Sequence, residues 1–318
     1  MGERSKNIGE HGEDVVKNLL DIIGWKNAIK GLDIECSKSE EHKTDINSRP
    51  RKEHGIDFIH FHSSPLFDQT IHFHCISSKY KEDDPYPKNP TSLFKEYLVN
   101  ISTAVDCYSK SNHCKEIKRN QTTANNALYS GVLFWLHNSS KDDSYDDLIS
   151  KIDNIRLPSE HSFNNPIHVV DNKQASFIFD CHNFMTNNFR NHEVSFLYQK
   201  TGTNEGNPKE FNSSGSSLPV ELITSELLIY RADRKESDDV TVCILTLEEF
   251  SEDALFQILG LAHDITLALA SNITIAFSNY SKSKHNQIAS MVKMRFSDNR
   301  FTQRVSIRPL NADLHNPE

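Results

Sequence analysis

The sequence predicts an α/β protein of two domains. Three observations carry that expectation: a helix-periodic run at residues 9–24, two alternating apolar stretches at 55–62 and 70–80 that read as a hairpin, and a continuous apolar run at 130–136. The chain has 318 residues, more than one core of about 150 residues needs.

In the first helix Val15, Val16, Leu19, Leu20 and Ile23 recur at helical spacing, with Gly24 as the stop. Residues 25–53 are polar, with weak strand signals at 28–29 and 32–34. The hairpin turns at 63–69, and a polar, proline-containing stretch at 82–90 separates it from a helix over 92–110. Leu93, Tyr97, Ile101, Ala104 and Tyr108 mark the apolar face of that helix. The run at 130–136 has the composition of a strand covered on both faces. An acidic loop at 141–147, a short helix at 148–152 and a strand at 166–170 follow; 175–184 reads as helix or strand, and 194–200 as a strand.

Residues 201–217 concentrate turn formers and lack aliphatics, so they read as a linker between a first domain at 1–200 and a second at 218–318. In the second domain, strands are expected at 218–231, 240–247 and 272–277, and short ones at 294–296 and 305–307. Thr246 and Glu249 have capping-box spacing ahead of a long amphipathic helix running to 270, and a further helix is expected at 282–291.

Composition narrows the chemistry. No GxGxxG and no GxxxxGK[ST] occurs, which removes the common glycine cradles for dinucleotides and NTP phosphates, and no GxSxG marks a serine hydrolase. The net charge of −9, from 35 Lys and Arg against 44 Asp and Glu, argues against coating nucleic acid through bulk charge. Phosphate contacts then rest on local patches: Lys81; Lys115, Lys118 and Arg119 within 110–119; and Lys282, Lys284, Lys293 and Arg295 within 282–308. The charged start lacks an apolar core of a signal peptide, and the longest apolar stretch, at 258–270, is interrupted by His263 and Asp264. The six cysteines make no CxxC pair and read as reduced thiols, so the expected location is the cytoplasm.

The candidate chemistry sits on the hairpin. Period-2 alternation places Ser77 and Lys79 on one face, near the end of a strand paired with the one that carries Asp57; Gly55 lets the backbone approach a ligand. A carboxylate that holds Mg²⁺ beside a lysine that offsets phosphorane charge is what phosphodiester hydrolysis requires.

In HGEDVVKNLLDIIGW of the first helix, HGIDFI and CISSKY, the sequence resembles the PD-(D/E)XK nuclease superfamily, and within it the Mrr-like restriction endonucleases, over roughly residues 8–140. The resemblance implies a restriction-endonuclease-like αβββαβ core, Mg²⁺- or Mn²⁺-dependent cleavage of nucleic acid with DNA favoured over RNA, and dimers. Asp57 matches the metal-binding aspartate, Lys79 the catalytic lysine, and Glu13, or Glu10 one turn earlier, the first-helix glutamate. Ser77 departs from the pattern, since Glu, Asp or Gln usually stands there; Glu53 or Glu13 would have to compensate, and otherwise the fold is a catalytically inactive clamp for nucleic acid or a partner. A nuclease core followed by an α/β accessory or oligomerisation domain is also similar to nuclease subunits of bacterial anti-phage defence systems, which implies a second defence-system protein as partner.

Two other clusters are weighed. His60, His62, His72, His74 and Cys75 invite a zinc reading, though their spacing matches no standard finger; as non-ligands they would form a polar sheet face opposite the catalytic one. Asp180, Cys181 and His182 suggest a thiol hydrolase, but adjacent side chains do not face one another.

Overall fold

The computed structural model describes residues 3–42, 50–121, 124–138, 145–152, 155, 163–199, 201, 212–266 and 270–311. Most of the acidic loop and of the predicted linker lies outside the described residues. The chain divides into two compact units, residues 1–176 and 177–318.

The first unit opens with helix α1 (Glu3–Ile22), which ends as the Gly24 stop predicts. The two weak strand signals merge into one strand, β1 (Ile29–Glu35), followed by β2 (Glu53–Ser63) and β3 (Thr70–Glu82). Helix α2 (Thr91–Tyr108) then leads to β4 (Asn126–Asn138) and β5 (Ile167–Val170). The basic stretch at 110–119, which carries no apolar period, forms a short helix, α3 (Asn112–Asn120), capped where the Ser111 hydroxyl accepts the Cys114 N–H. The sheet order is β1-β2-β3-β4-β5, antiparallel through the meander β1–β3 and parallel from β3 to β5. This is the αβββαβ arrangement that the sequence led us to expect.

The two sheet faces are covered differently. Phe73, Cys75 and Ile59 pack with Phe94, Leu98, Ile101 and Tyr108 of α2. On the other face α1 approaches β3 so closely that a Cβ on Gly12 would lie 2.3 Å from the Tyr80 Cβ, which only glycine permits. Trp25, fully buried, stacks on His74 (centroids 4.5 Å apart) and His60 (4.8 Å) on that face.

The second unit begins within helix α4 (Asn172–Asn188), which settles the ambiguous 175–184 as helix. Its sheet holds β6 (His192–Gln199), β7 (Asn212–Gly215), β8 (Leu227–Arg234), β9 (Val240–Thr246), β10 (Asn272–Phe277) and β11 (Val305–Pro309), in the order β11-β10-β9-β8-β6-β7. The strand expected in the first domain, β6, therefore hydrogen-bonds to β8 and β7 in the second sheet, and β7 falls inside the predicted linker. Alternation identifies a strand but not the sheet it joins.

Three smaller expectations are corrected. Residues 218–226 are not strand: a 3₁₀ turn at Val220–Leu222 precedes β8. Helix α5 (Glu252–Thr266) is capped by Ser251, whose hydroxyl accepts the Ala254 N–H, and not by Thr246. Residues 294–296 do not form a strand: Met294 belongs to helix α6 (Lys282–Arg295), and a short helix α7 (Asn299–Gln303) leads into β11. No helix among the described residues is long and apolar enough to cross a membrane.

Candidate active site

The β2–β3 ladder runs from Ser63↔Ile71 to Phe58↔Ile76 and stops there, while β3 continues against β4 to Glu82↔Asn138. Asp57 and Ser77 stand at the parting of the two strands. Ile56 and Ile59 both pack in the core under α2, an odd spacing that regular alternation forbids, so β2 turns out of phase at Asp57. The β1–β2 register on either side of Gly31 sets that glycine opposite Asp57, and its φ of +68° is the left-handed conformation that lets β1 follow the same twist.

Where the ladder ends, a side chain replaces it. Asp57 Oδ2 accepts the Ser78 N–H at 2.6 Å and the Ser77 hydroxyl at 3.3 Å. Lys79, on the α2 side of β3, holds its ammonium 5.5 Å from the centroid of the Tyr97 ring. Asp57, Ser77 and Lys79 line one cavity of about 430 Å³, together with Arg51, Glu53 and Asn100. Arg51 donates to the Asn100 Oδ1 at 2.9 Å and lies 3.2 Å from the His54 Nδ1. Burial, reinforced by the charges of Arg51 and His42, lowers the His54 pKa to about 4, which keeps that imidazole neutral near pH 7.

The structure brings Asp57, Ser77 and Lys79 together, as expected, but not Glu13. Glu13 pairs with Lys30 at 3.0 Å and does not line the cavity; its neighbour Gly12 abuts Tyr80, on the opposite face of β3 from Lys79. Glu10 makes an exposed pair with Lys6 at 3.8 Å. Glu53 lines the cavity but stands four residues from Asp57, roughly 13 Å of strand, and so marks its far end. Arg51 and Asn100 carry no motif and were legible only once the fold placed them beside the carboxylate.

The donors are hard oxygens: Asp57 Oδ1, to which no group among the described residues donates, and the Ser77 hydroxyl. That set fits a Mg²⁺ or Mn²⁺ ion that keeps most of its waters, with less anionic charge than two carboxylates would give.

Among the basic residues, Lys81, Lys115, Arg119, Lys282 and Lys284 are exposed. Lys118 donates to the Tyr129 hydroxyl at 3.3 Å, Lys293 to the Val305 carbonyl at 2.8 Å, and Arg295 pairs with Glu252. Burial lowers the Lys293 pKa. Lys293 and Arg295 thus already have partners within their own unit.

The histidines do not make the zinc site weighed from the sequence. His60 and His74 are buried in a stack on Trp25, and His72 is buried against His74, rather than lining a polar face, while Cys75 packs under α2 on the other side of the sheet. Cys181 is buried, and burial pushes its thiol pKa well up, the reverse of an activated nucleophile.

A helix, a three-stranded meander, a second helix and a parallel strand, with an aspartate and a lysine where the central strands part, define the PD-(D/E)XK nuclease class with its restriction-endonuclease-like fold. The chain belongs to the family of the GAPS4 protein PD-(D/E)XK nuclease domain, whose model matches residues 1–174. GAPS4 is an anti-phage defence system. Neither the curated proteins nor the solved structures compared with the chain give a match.

Proposed function

We propose that the protein is a Mg²⁺- or Mn²⁺-dependent endonuclease that cleaves phosphodiester bonds, in DNA by preference, and that it serves anti-phage defence in the cytoplasm. The observation that supports this most is the convergence of Asp57, Ser77 and Lys79 on one cavity at the parting of β2 and β3. Asp57 Oδ1 and the Ser77 hydroxyl would hold the ion, which supplies Lewis acidity at the scissile phosphate when bound. The Ser78 N–H and Ser77 hydroxyl fix the carboxylate's orientation from the other side. Lys79, steadied over Tyr97, places a cation where phosphorane charge develops. The exposed lysines of β3, α3 and α6 are candidate backbone contacts, and their engaged neighbours Lys293 and Arg295 weaker ones. The second unit would serve as an accessory or oligomerisation domain, through a homodimer or a second protein of the defence system.

A second reading has its own support: a single carboxylate with one oxygen already committed to Ser78 suits a catalytically inactive subunit that binds nucleic acid or a partner. Cleavage of plasmid, single-stranded DNA and total RNA by wild type, Asp57→Ala and Lys79→Ala, each with Mg²⁺, Mn²⁺ or EDTA, separates these. Cutting by wild type that needs metal and is lost in both variants supports the enzyme, and the substrate cut tells DNA from RNA. Variants that cut as well as wild type overturn the site. Binding without cutting, with and without candidate partner proteins, favours the inactive subunit.

A further inference from the structure

Four metal-ligating side chains converge at the edge of the first unit beside the candidate active site, and one of them, His54, also lines its cavity. Cys36 follows β1, His42 lies in the turn after it, His54 opens β2, and Cys107 lies in the last turn of α2. Their ligand atoms all lie within 4.8 Å of one another. The Cys36 Sγ is 3.4 Å from the His42 Nδ1, the Cys107 Sγ is 3.5 Å from the same nitrogen, and the two sulfurs are 3.9 Å apart. For a tetrahedral zinc ion with Zn–S near 2.3 Å and Zn–N near 2.0–2.1 Å, the sulfur–nitrogen edges come to about 3.5 Å and the sulfur–sulfur edge to about 3.8 Å. These three distances are those of one face of such a tetrahedron, the sulfur–sulfur one being longer than the roughly 2.05 Å of a disulfide, and His54 stands as the fourth ligand within 4.8 Å. His42, His54 and Cys107 are buried, Cys36 half-buried, and the His54 Nε2 is buried with no hydrogen-bond partner.

From this convergence we propose that Cys36, His42, His54 and Cys107 form a Cys₂His₂ zinc site. Two thiolates and two imidazoles select a borderline-soft ion such as Zn²⁺ over the Mg²⁺ suited to the oxygens around Asp57. Four protein ligands close the coordination sphere, so the site is structural and leaves no position for substrate. Two thiolates also neutralise the ion's charge, which permits the Arg51 guanidinium beside it. A neutral imidazole has one lone pair, so on ligation the N–H of Arg51 that faces the His54 Nδ1 gives way, and Arg51 keeps its bond to Asn100. The ion would clip the end of β1 and the start of β2 to α2, and so hold both walls of the cavity that Asp57 lines. An inactive nuclease fold would carry the same four ligands.

Elemental analysis of the purified full-length chain, dialysed against metal-free buffer, is expected to give one zinc ion per chain. Cys107→Ser and His54→Asn should lose it, and Cys181→Ser in the other unit should keep it. Exchange of wild type with Co²⁺ should give thiolate-to-cobalt charge transfer and the intense ligand-field bands of tetrahedral coordination, a readout that needs no variant to fold. A wild-type chain without zinc, whose Co²⁺ form lacks those bands, overturns the site. So does a Cys36–Cys107 disulfide found by mass spectrometry under non-reducing conditions.

Discussion

The carboxylate of Asp57 accepts the backbone N–H of Ser78 at 2.6 Å, across two strands whose own ladder has stopped at Phe58↔Ile76. Asp57 thus has two separable duties: one oxygen closes the sheet and the other is offered to the cavity. Asp57→Asn keeps an acceptor for Ser78 while removing the charge, so it should melt like wild type yet lose cleavage by on the order of 10²-fold or more, given the several kcal/mol an ion supplies. Asp57→Ala should lose activity and also about 1–3 kcal/mol of stability, because the Ser78 N–H is left unpaired. Thermal melts beside cleavage rates check the pair; equal stability losses would deny the structural duty.

Ser77 leaves the site one carboxylate short of the usual pattern. Ser77→Glu should lower the Mg²⁺ concentration for half-maximal cleavage on the order of tenfold, since added ligand charge raises affinity for a hard cation. Without metal the same variant should be less stable than wild type, two carboxylates facing each other across the strand gap. A metal titration whose midpoint does not move would show that the ion does not lie beside Ser77.

Glu13 is bonded to Lys30 away from the cavity. Glu13→Gln should cleave at the wild-type rate and lose less than about 1 kcal/mol, the range of a partly exposed ion pair. A loss of activity as deep as that of Asp57→Ala would return the first-helix glutamate to the metal site.

How far the sequence could be read follows from the range of the forces. Local periodicity gave the hairpin, α2 and β4 to within a few residues and α1 with its start six residues late, and the ordered motifs on them located Asp57 and Lys79. What escaped depends on tertiary pairing. Whether β6 joins the first or second sheet is decided by its partners β7 and β8, not by its own alternation. Which face Glu13 serves depends on how closely Gly12 lets α1 approach Tyr80. In the densest histidine run His60 and His74 stack on Trp25 instead of converging on an ion. The four residues that do converge are spread from 36 to 107, with no finger-like spacing to announce them.

The buried histidines make the fold acid-sensitive in a stated direction. Burial lowers His60 and His72 to about 3 and His62 to about 4, and drives His74 well down. Unfolded, each titrates near 6.5. Between these values the unfolded chain binds protons that the folded chain refuses, so stability is full above about pH 6.5 and falls as the pH drops toward 4. His60, His62 and His72 should each remove about 2 kcal/mol by pH 5, together comparable with the lower end of a typical domain's whole stability, and His74 acts in the same direction. Urea melts at pH 7, 6 and 5 should therefore show steep loss. His60→Phe, which keeps an aromatic ring on Trp25, should flatten that loss by about one proton's worth. If the slope of stability against pH is the same in wild type and His60→Phe, the stacked histidines are not its source.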